Sequence, residues 1–284
     1  MDSTIQKEQR LTKTEYTRYL HFIAPFLLPY TRDRMAMWFS YPQGLTGKRV
    51  ERRSIRAEER APEWLATITY KGKTRVLLND RETLLWVASG NIKELHVPFD
   101  KVNCPGYPTE LILDIDGDGN RFEQVCEVAL AVKEVLDKLQ LRSVAKTSGK
   151  SGLHIHVPLA ECTYTFEQVR PINKFIADFL VEKMSQLVTI ERVKDKRENK
   201  IYFDWMQLWA GRTLAVPYSV RATKQATVAT PVTWEEVQHG IDPTDFTIFS
   251  MPNRIKDKGD LFAPLTTEKA GQTLDEILAF LSSK

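Results

Sequence analysis

Leu111-Ile112-Leu113-Asp114-Ile115-Asp116-Gly117-Asp118-Gly119 is an aliphatic run with acids two residues apart, broken by glycine. In a strand, successive side chains point to opposite faces, so Asp114 and Asp116 share one face while Leu113 and Ile115 share the other. Two adjacent carboxylates repel unless something positive sits between them. A hard divalent cation, bound through oxygen and able to hold phosphate oxygens, is the commonest physical reason to build such a pair. The stretch therefore reads as a buried strand ending in a site for phosphoryl or nucleotidyl chemistry.

Working outward, the Gly117-Asp118-Gly119-Asn120 turn leads into a helix on which Phe122, Val125, Ala129, Val132, Leu136 and Leu139 recur at helical spacing. This strand-turn-helix unit puts its carboxylates at the turn, where α/β units place their sites. Lys146-Thr147-Ser148-Gly149-Lys150-Ser151-Gly152 follows as a polar, glycine-rich loop entering the alternating strand Leu153-His154-Ile155-His156-Val157-Pro158. Backbone N–H groups and the Ser148 hydroxyl suit phosphate, with Lys146 or Lys150 adding charge, but the loop lacks P-loop spacing. His154 and His156 share a strand face, where metal ligation, nucleotide contact and ordinary hydrogen bonding all fit. Ile201-Tyr202-Phe203-Asp204-Trp205 reads as a further strand carrying a third carboxylate.

Helices are expected over 12–28, with Tyr16, Tyr19, Leu20 and Ile23 on one stripe and Pro29 at the end, and over 165–184, with Phe166, Val169, Ile172, Phe175, Ile176, Phe179 and Leu180 inward. Strands and helices mix without a strict βαβ rhythm, which gives an α+β class. At 42% hydrophobic and 27% charged the chain is globular, which excludes disordered and fibrous classes. No apolar run is long enough to cross a bilayer and the first ten residues lack a signal-peptide core, so a cytoplasmic protein is expected. Cys104, Cys126 and Cys162 lack metal-ligand spacing and read as small, partly buried thiols.

The net charge of +3 is too small to argue for a nucleic-acid partner, so distribution matters more. Lys48, Arg49, Arg52, Arg53, Arg56 and Arg60 crowd one segment. Arg192, Lys194, Lys196, Arg197 and Lys200 crowd another, interleaved with acids, where a solvated face and phosphate contact fit equally well. Asp114, Asp116, Asp118 and Gly119 copy the start of a calcium-binding EF-hand loop, but Val125 stands where its bidentate glutamate is needed. The Asp-x-Asp-Gly strand end also resembles the haloacid dehalogenase-like phosphatases, with Asp114 as nucleophile and Asp116 as general acid. That motif is usually near a domain start and followed by threonine; here it lies deep in the chain, before Asp118.

Seven ordered segments resemble the polymerase domain of bacterial ligase D, a member of the archaeo-eukaryotic primase superfamily that acts in non-homologous end joining. They are Leu11-Thr12-Lys13 before a tyrosine-rich helix with Asn79 to Trp86 and Glu94-Leu95-His96-Val97-Pro98 after it; the Asp-x-Asp strand; Lys146-Thr147-Ser148-Gly149; Ile201 to Trp205 with Gln207; and Ala215 to Arg221. The resemblance covers most of the chain. It implies a primase-like α+β core of mixed and antiparallel sheets flanked by helices, with an N-terminal lobe about 1–100, a core about 101–250 and a helical tail about 251–284.

The resemblance further implies that Asp114, Asp116 and Asp204 are the catalytic, metal-binding triad for two divalent ions, manganese or alternatively magnesium. The nucleotide-binding set is His96, Ser148, Gly149, Lys150, His154, Arg197, Gln207 and Arg221, and the DNA-binding set is Lys13, Arg52, Arg53 and Arg56, with Lys13 on a 5′-phosphate. The implied activity is templated nucleotide addition at DNA gaps or broken ends, favouring ribonucleotides. The implied partners are DNA, nucleoside triphosphates, a Ku homodimer and a ligase, with no membrane. Glu51 to Arg56 replaces the family's aromatic pair, removing a stacking platform worth roughly 1–3 kcal/mol per base, and Lys150-Ser151 reverses the usual lysine placement before glycine. No ligase or nuclease domain accompanies the motifs, so the chain reads as a stand-alone enzyme or an excised domain. A DNA-end binding module with decayed polymerase activity is the competing class, opposed by the three intact aspartates.

Overall fold

The structure is a computed structural model describing residues 11–43, 47–56, 59–89, 91, 93–117, 119, 121–267 and 272–283. Asp118, one acid of the calcium-loop pattern, lies outside the described residues. Helix α1 (Lys13–Leu27) opens on a capping box in which the Glu15 N–H donates to the Thr12 hydroxyl and the Thr12 N–H to the Glu15 carboxylate. Strands β1 (Met37–Ser40) and β2 (Val50–Arg52), the hairpin β3 (Thr67–Tyr70) and β4 (Lys73–Val76), helix α2 (Arg81–Ala88) and strand β5 (Lys93–Pro98) follow. A second hairpin, β6 (Asp100–Lys101) and β7 (Cys104–Pro108), leads into β8 (Glu110–Asp116) and α3 (Phe122–Lys138). Next come β9 (Val144–Thr147), β10 (Gly152–Pro158), α4 (Phe166–Lys183), β11 (Val188–Thr189), β12 (Ile201–Phe203), β13 (Thr213–Ala215) and β14 (Pro231–Val232). Short helices α5 (Trp234–His239), α6 (Met251–Lys258), α7 (Pro264–Thr267) and α8 (Asp275–Ser282) close the chain.

Among the described residues, the two larger sheets have strand orders β13-β5-β1-β2 and β11-β12-β8-β10-β9-β14. The β11–β12 pair is parallel and β8 is antiparallel to both neighbours, so the expected α+β class with mixed and antiparallel sheets is borne out. In the β8–β10 register Asp114 faces His154 and Asp116 faces Gly152. The alternate residues Leu111, Leu113, Ile115, Leu153 and Ile155 are fully buried against Val125, Val132, Val169 and Ile176 of α3 and α4. Each such side chain contributes on the order of 1.5–3 kcal/mol. Asn173 of α4 fastens this layer by donating its Nδ2–H to the Ile112 carbonyl at 2.7 Å.

The other large sheet carries α1, whose Tyr16, Leu20 and Ile23 pack in one cluster with Leu95, Val97, Val216 and Val228. The segment after β13 is thereby drawn back to the N-terminal elements; the Leu95 N–H donates to Ser219 Oγ at 2.8 Å. The chain passes from one sheet to the other between Asp204 and Arg212, leaving β12 and entering β13. This connector and the 148–152 loop border the polar faces of β8, β10 and β5.

The expectation of three free thiols is corrected. Cys104 and Cys162, 58 residues apart in sequence, form a disulfide, while Cys126 is free and buried. Their pairing depends on the β6–β7 hairpin meeting the loop after β10, a tertiary contact that cysteine spacing does not encode. No helix among the described residues is long and apolar enough to cross a membrane.

Candidate active site

The aspartates meet because β12 lies beside β8: Tyr202 is opposite Asp116, Phe203 is opposite Ile115, and the Asp204 N–H donates to the Asp114 carbonyl at 2.9 Å. Asp204 sits one residue past the strand. Its Oδ1 accepts from the Met206 N–H at 3.1 Å and its Oδ2 lies 3.6 Å from Arg212 Nη1. Asp116 accepts from the Ser151 hydroxyl at 3.2 Å, and Asp114 Oδ1 lies 3.4 Å from His154 Nε2. Burial, and then the negative charges of Asp204 and Asp116, push the Asp114 carboxyl up to about 8. A site that holds three acids in mutual repulsion gains most from added positive charge.

Oxygen donors of this kind fit a hard divalent cation. Asp114, Asp116 and Asp204 would hold it. Among the described residues no three acidic, histidine or cysteine side chains close round one point; each aspartate is turned partly toward its protein partner.

Behind the aspartates, Lys146 is fully buried and its Nζ lies 2.7 Å from His154 Nδ1. Burial, aided by Arg221, brings this lysine down to about 7, and burial with the nearby Lys146 charge lowers His154 well below the usual imidazole range. His156, the other histidine of the face, meets Glu110 at 2.9 Å, and Arg34 lies 3.6 Å from the same carboxylate.

The second half of the site surrounds Glu94, whose Oε1 lies 3.2 Å from Lys150 Nζ and 3.5 Å from Arg221 Nε and accepts from the Ala222 N–H at 2.6 Å. Burial acting alone would raise this carboxyl. The adjoining His96, Arg221, Lys150 and Ala222 N–H outweigh it and hold Glu94 well below the carboxylate range. Among the described residues, His96 Nε2 and Arg221 Nε are buried without a hydrogen-bond partner, and burial brings the His96 imidazole down to about 4. Arg221 also donates to the Ser148 carbonyl. The Ser148 hydroxyl accepts from the N–H groups of Lys150 and Gly152 at 3.1 and 3.0 Å. Gly149 is held at φ +72°, and a Cβ there would come within 2.6 Å of Arg221 Cγ. Two cations and a neutral imidazole thus converge beside the aspartates around one buried anion, a composition suited to polyphosphate.

Residues 12–262 match the family model described as "LigD, primase-polymerase domain". The chain belongs to the LigD primase-polymerase domain family. It is 29% identical over its whole length to the bifunctional non-homologous end joining protein LigD of Bacillus subtilis, covering 46% of that protein. Over 94% of its length it is 32% identical to the multifunctional LigD of Mycolicibacterium smegmatis, covering 35% of it. The chain thus spans less than half of the curated relatives it matches. Its fold superposes with a TM-score of 0.79 and 29% identity on the polymerase domain of Mycobacterium tuberculosis ligase D in complex with DNA, over 90% of this chain and 93% of that one. This family membership sets aside the EF-hand and phosphatase readings of Asp114 to Gly119.

Within this LigD-type fold, the residues singled out from sequence separate into groups. Asp114, Asp116 and Asp204 come together, as do His96, Ser148, Gly149, Lys150 and Arg221, with His154 set between Asp114 and Lys146. Lys150 points to Glu94 despite the reversed lysine order. Gln207 instead braces the connector, donating to the Thr213 carbonyl at 3.0 Å and accepting from Arg212 at 3.3 Å. Arg197 stacks 3.8 Å from the Tyr202 ring centroid and donates to the Glu191 and Arg192 carbonyls. Arg52 pairs with Glu59, Arg53 with Glu51 and the Gly211 carbonyl, and Arg56 and Lys13 are exposed.

Sequence reading gave no site role to the buried Glu94, to Arg212 beside Asp204, or to Arg49, whose guanidinium lies 4.2 Å from the Phe39 ring centroid. Glu94 left a trace: an acid two residues before His96, on the same face of β5.

Proposed function

We propose that this chain is a metal-dependent, DNA-templated nucleotidyltransferase that adds nucleotides, ribonucleotides preferentially, at DNA gaps or double-strand-break ends in non-homologous end joining. The observation that carries the reading is the union of three mutually repelling carboxylates with a preformed cationic cradle, within a LigD-type fold. Manganese, with magnesium as the alternative, would occupy the Asp114, Asp116 and Asp204 carboxylates; bound there, two ions supply Lewis-acid activation of a primer 3′-hydroxyl and neutralise the triphosphate. Lys150, Arg221 and His96 take the phosphates, and the His96 ring donates a hydrogen bond while neutral overall. Ser148, fixed by two backbone N–H groups, sets the loop against the nucleotide. Lys146 holds His154 against Asp114 and so orients that carboxylate.

Lys13, Arg52, Arg53 and Arg56 are assigned to the DNA backbone, with Lys13 on a 5′-phosphate beyond the gap. Ku, a separate or linked ligase, and a cytoplasmic location complete the proposal. Extension of a labelled primer across a gap with a downstream 5′-phosphate tests it, using manganese and either ribo- or deoxyribonucleotides. Wild type should extend and Asp114→Ala and Asp204→Ala should not, while both variants unfold cooperatively. Extension by either variant would remove the triad, and an inactive wild type that still binds DNA ends tightly would leave the end-binding module.

A further inference from the structure

The connector that leaves Asp204 carries two tryptophans, and α4 presents a cation between them. The Arg170 guanidinium lies 4.2 Å from the Trp209 ring centroid and 5.1 Å from that of Trp205, while Lys174 Nζ lies 5.6 Å from Trp205. Lys174 is neutralised by Asp178 at 2.6 Å, but among the described residues no carboxylate forms an ion pair with Arg170. Together with Glu167 and Pro171 these side chains line a hollow of about 390 Å³. Trp209 is 37% exposed, so one of the largest apolar side chains meets solvent beside an unneutralised guanidinium.

Aromatic faces backed by arginine are the means by which proteins hold unpaired bases, since every base offers a π-face and a duplex hides it. Glu167 in the hollow disfavours a phosphate there and favours an uncharged base. Trp205 directly follows Asp204 in the chain, which puts their Cα atoms about 3.8 Å apart and ties the patch to the connector that carries the third aspartate. On the other side Arg53 donates to the Gly211 carbonyl at 3.2 Å, which joins the arginine-bearing β2 edge to the same connector.

We propose that Trp209 and Arg170, supported by Trp205, form a stacking subsite for an unpaired DNA strand at a frayed or recessed end. The subsite rests on the DNA reading above but is separate from the aspartates and the cationic cradle. It is tested by fluorescence anisotropy with a labelled thymidine oligonucleotide about 12 nucleotides long, within the span such sites occupy, in EDTA and without nucleotide, alongside a blunt hairpin duplex. Trp209→Ala should weaken oligonucleotide binding about fivefold or more, Trp209→Phe should restore most of it, and duplex affinity should change little. Arg170→Ala should weaken oligonucleotide binding severalfold and leave the salt slope nearly unchanged, because the guanidinium backs a base and neutralises no phosphate. Unaltered oligonucleotide affinity in Trp209→Ala, or equal losses on oligonucleotide and duplex, would overturn the subsite. A wild type that extends gapped primers yet ignores the oligonucleotide would overturn the subsite alone. Trp209-dependent binding by a protein unable to extend would overturn the polymerase reading alone.

Discussion

Single carboxylates and imidazoles set the most direct expectations. Asp114 is held against its own ionisation by burial and by two neighbouring acids, so Asp114→Asn should raise the melting temperature of the metal-free protein. Each kcal/mol released should appear as about 2–4 °C in calorimetry. His96 sets a pH dependence of definite sign. Its imidazole titrates at about 4 in the fold and near 6.5 when unfolded, so the unfolded chain binds more protons between those values. The His96 share of stability should therefore be complete above about pH 6.5 and fall by about 3 kcal/mol as pH drops through 4, read as the difference between wild type and His96→Gln in urea titrations at stepped pH. The Asp114 and Asp116 pair was legible because alternation fixes their common face. Glu94 was not, because its partners Lys150, Arg221 and Ala222 come from segments far away in sequence and identify it only once the chain is folded.

Elements place these side chains, and the 148–152 loop is the tightest of them. Gly149→Ala would combine a left-handed backbone at φ +72° with a Cβ 2.6 Å from Arg221 Cγ, so Arg221 must move. The KM for nucleoside triphosphate should rise roughly tenfold in steady-state extension, the loss of one charge-assisted phosphate contact, with a smaller change in kcat. The long helices were readable almost to the residue, while the short α2 and α5 were not expected. Apolar spacing sets the expected spans 12–28 and 165–184, which the observed helices Lys13–Leu27 and Phe166–Lys183 follow closely, each opening on a threonine capping box. Strand Ile201–Phe203 ends earlier than the 201–205 pattern suggested: the Asp204 N–H still bonds across to the Asp114 carbonyl, and the Asp204 carboxylate then accepts from the Met206 N–H as the chain turns away. The two-residue strands β6, β11 and β14 have no period to read, and the Cys104–Cys162 bridge depends on a hairpin that contains one of them.

At the scale of the whole molecule, metal affinity and fold stability should be linked. An ion that binds only the native aspartates raises stability by RT ln(1 + [L]/Kd), about 2.7 kcal/mol at a hundredfold excess over Kd. Manganese titrated into the chelator-treated protein should therefore raise its melting temperature, and Asp204→Asn should abolish most of that rise. Sequence periodicity supplied the α+β class, but the sheet orders required pairings such as β13 with β5 and β8 between β10 and β12, which no local pattern encodes. The strand at the centre of those pairings, β8, turns Leu113 and Ile115 to a dry helical layer and Asp114 and Asp116 to the chemistry. Its tolerance to mutation should consequently be woven as two interleaved combs. A saturation scan scored separately for abundance and for gap extension should see abundance fail at 113 and 115, extension fail at 114 and 116, and the two phenotypes exchange places residue by residue over this stretch.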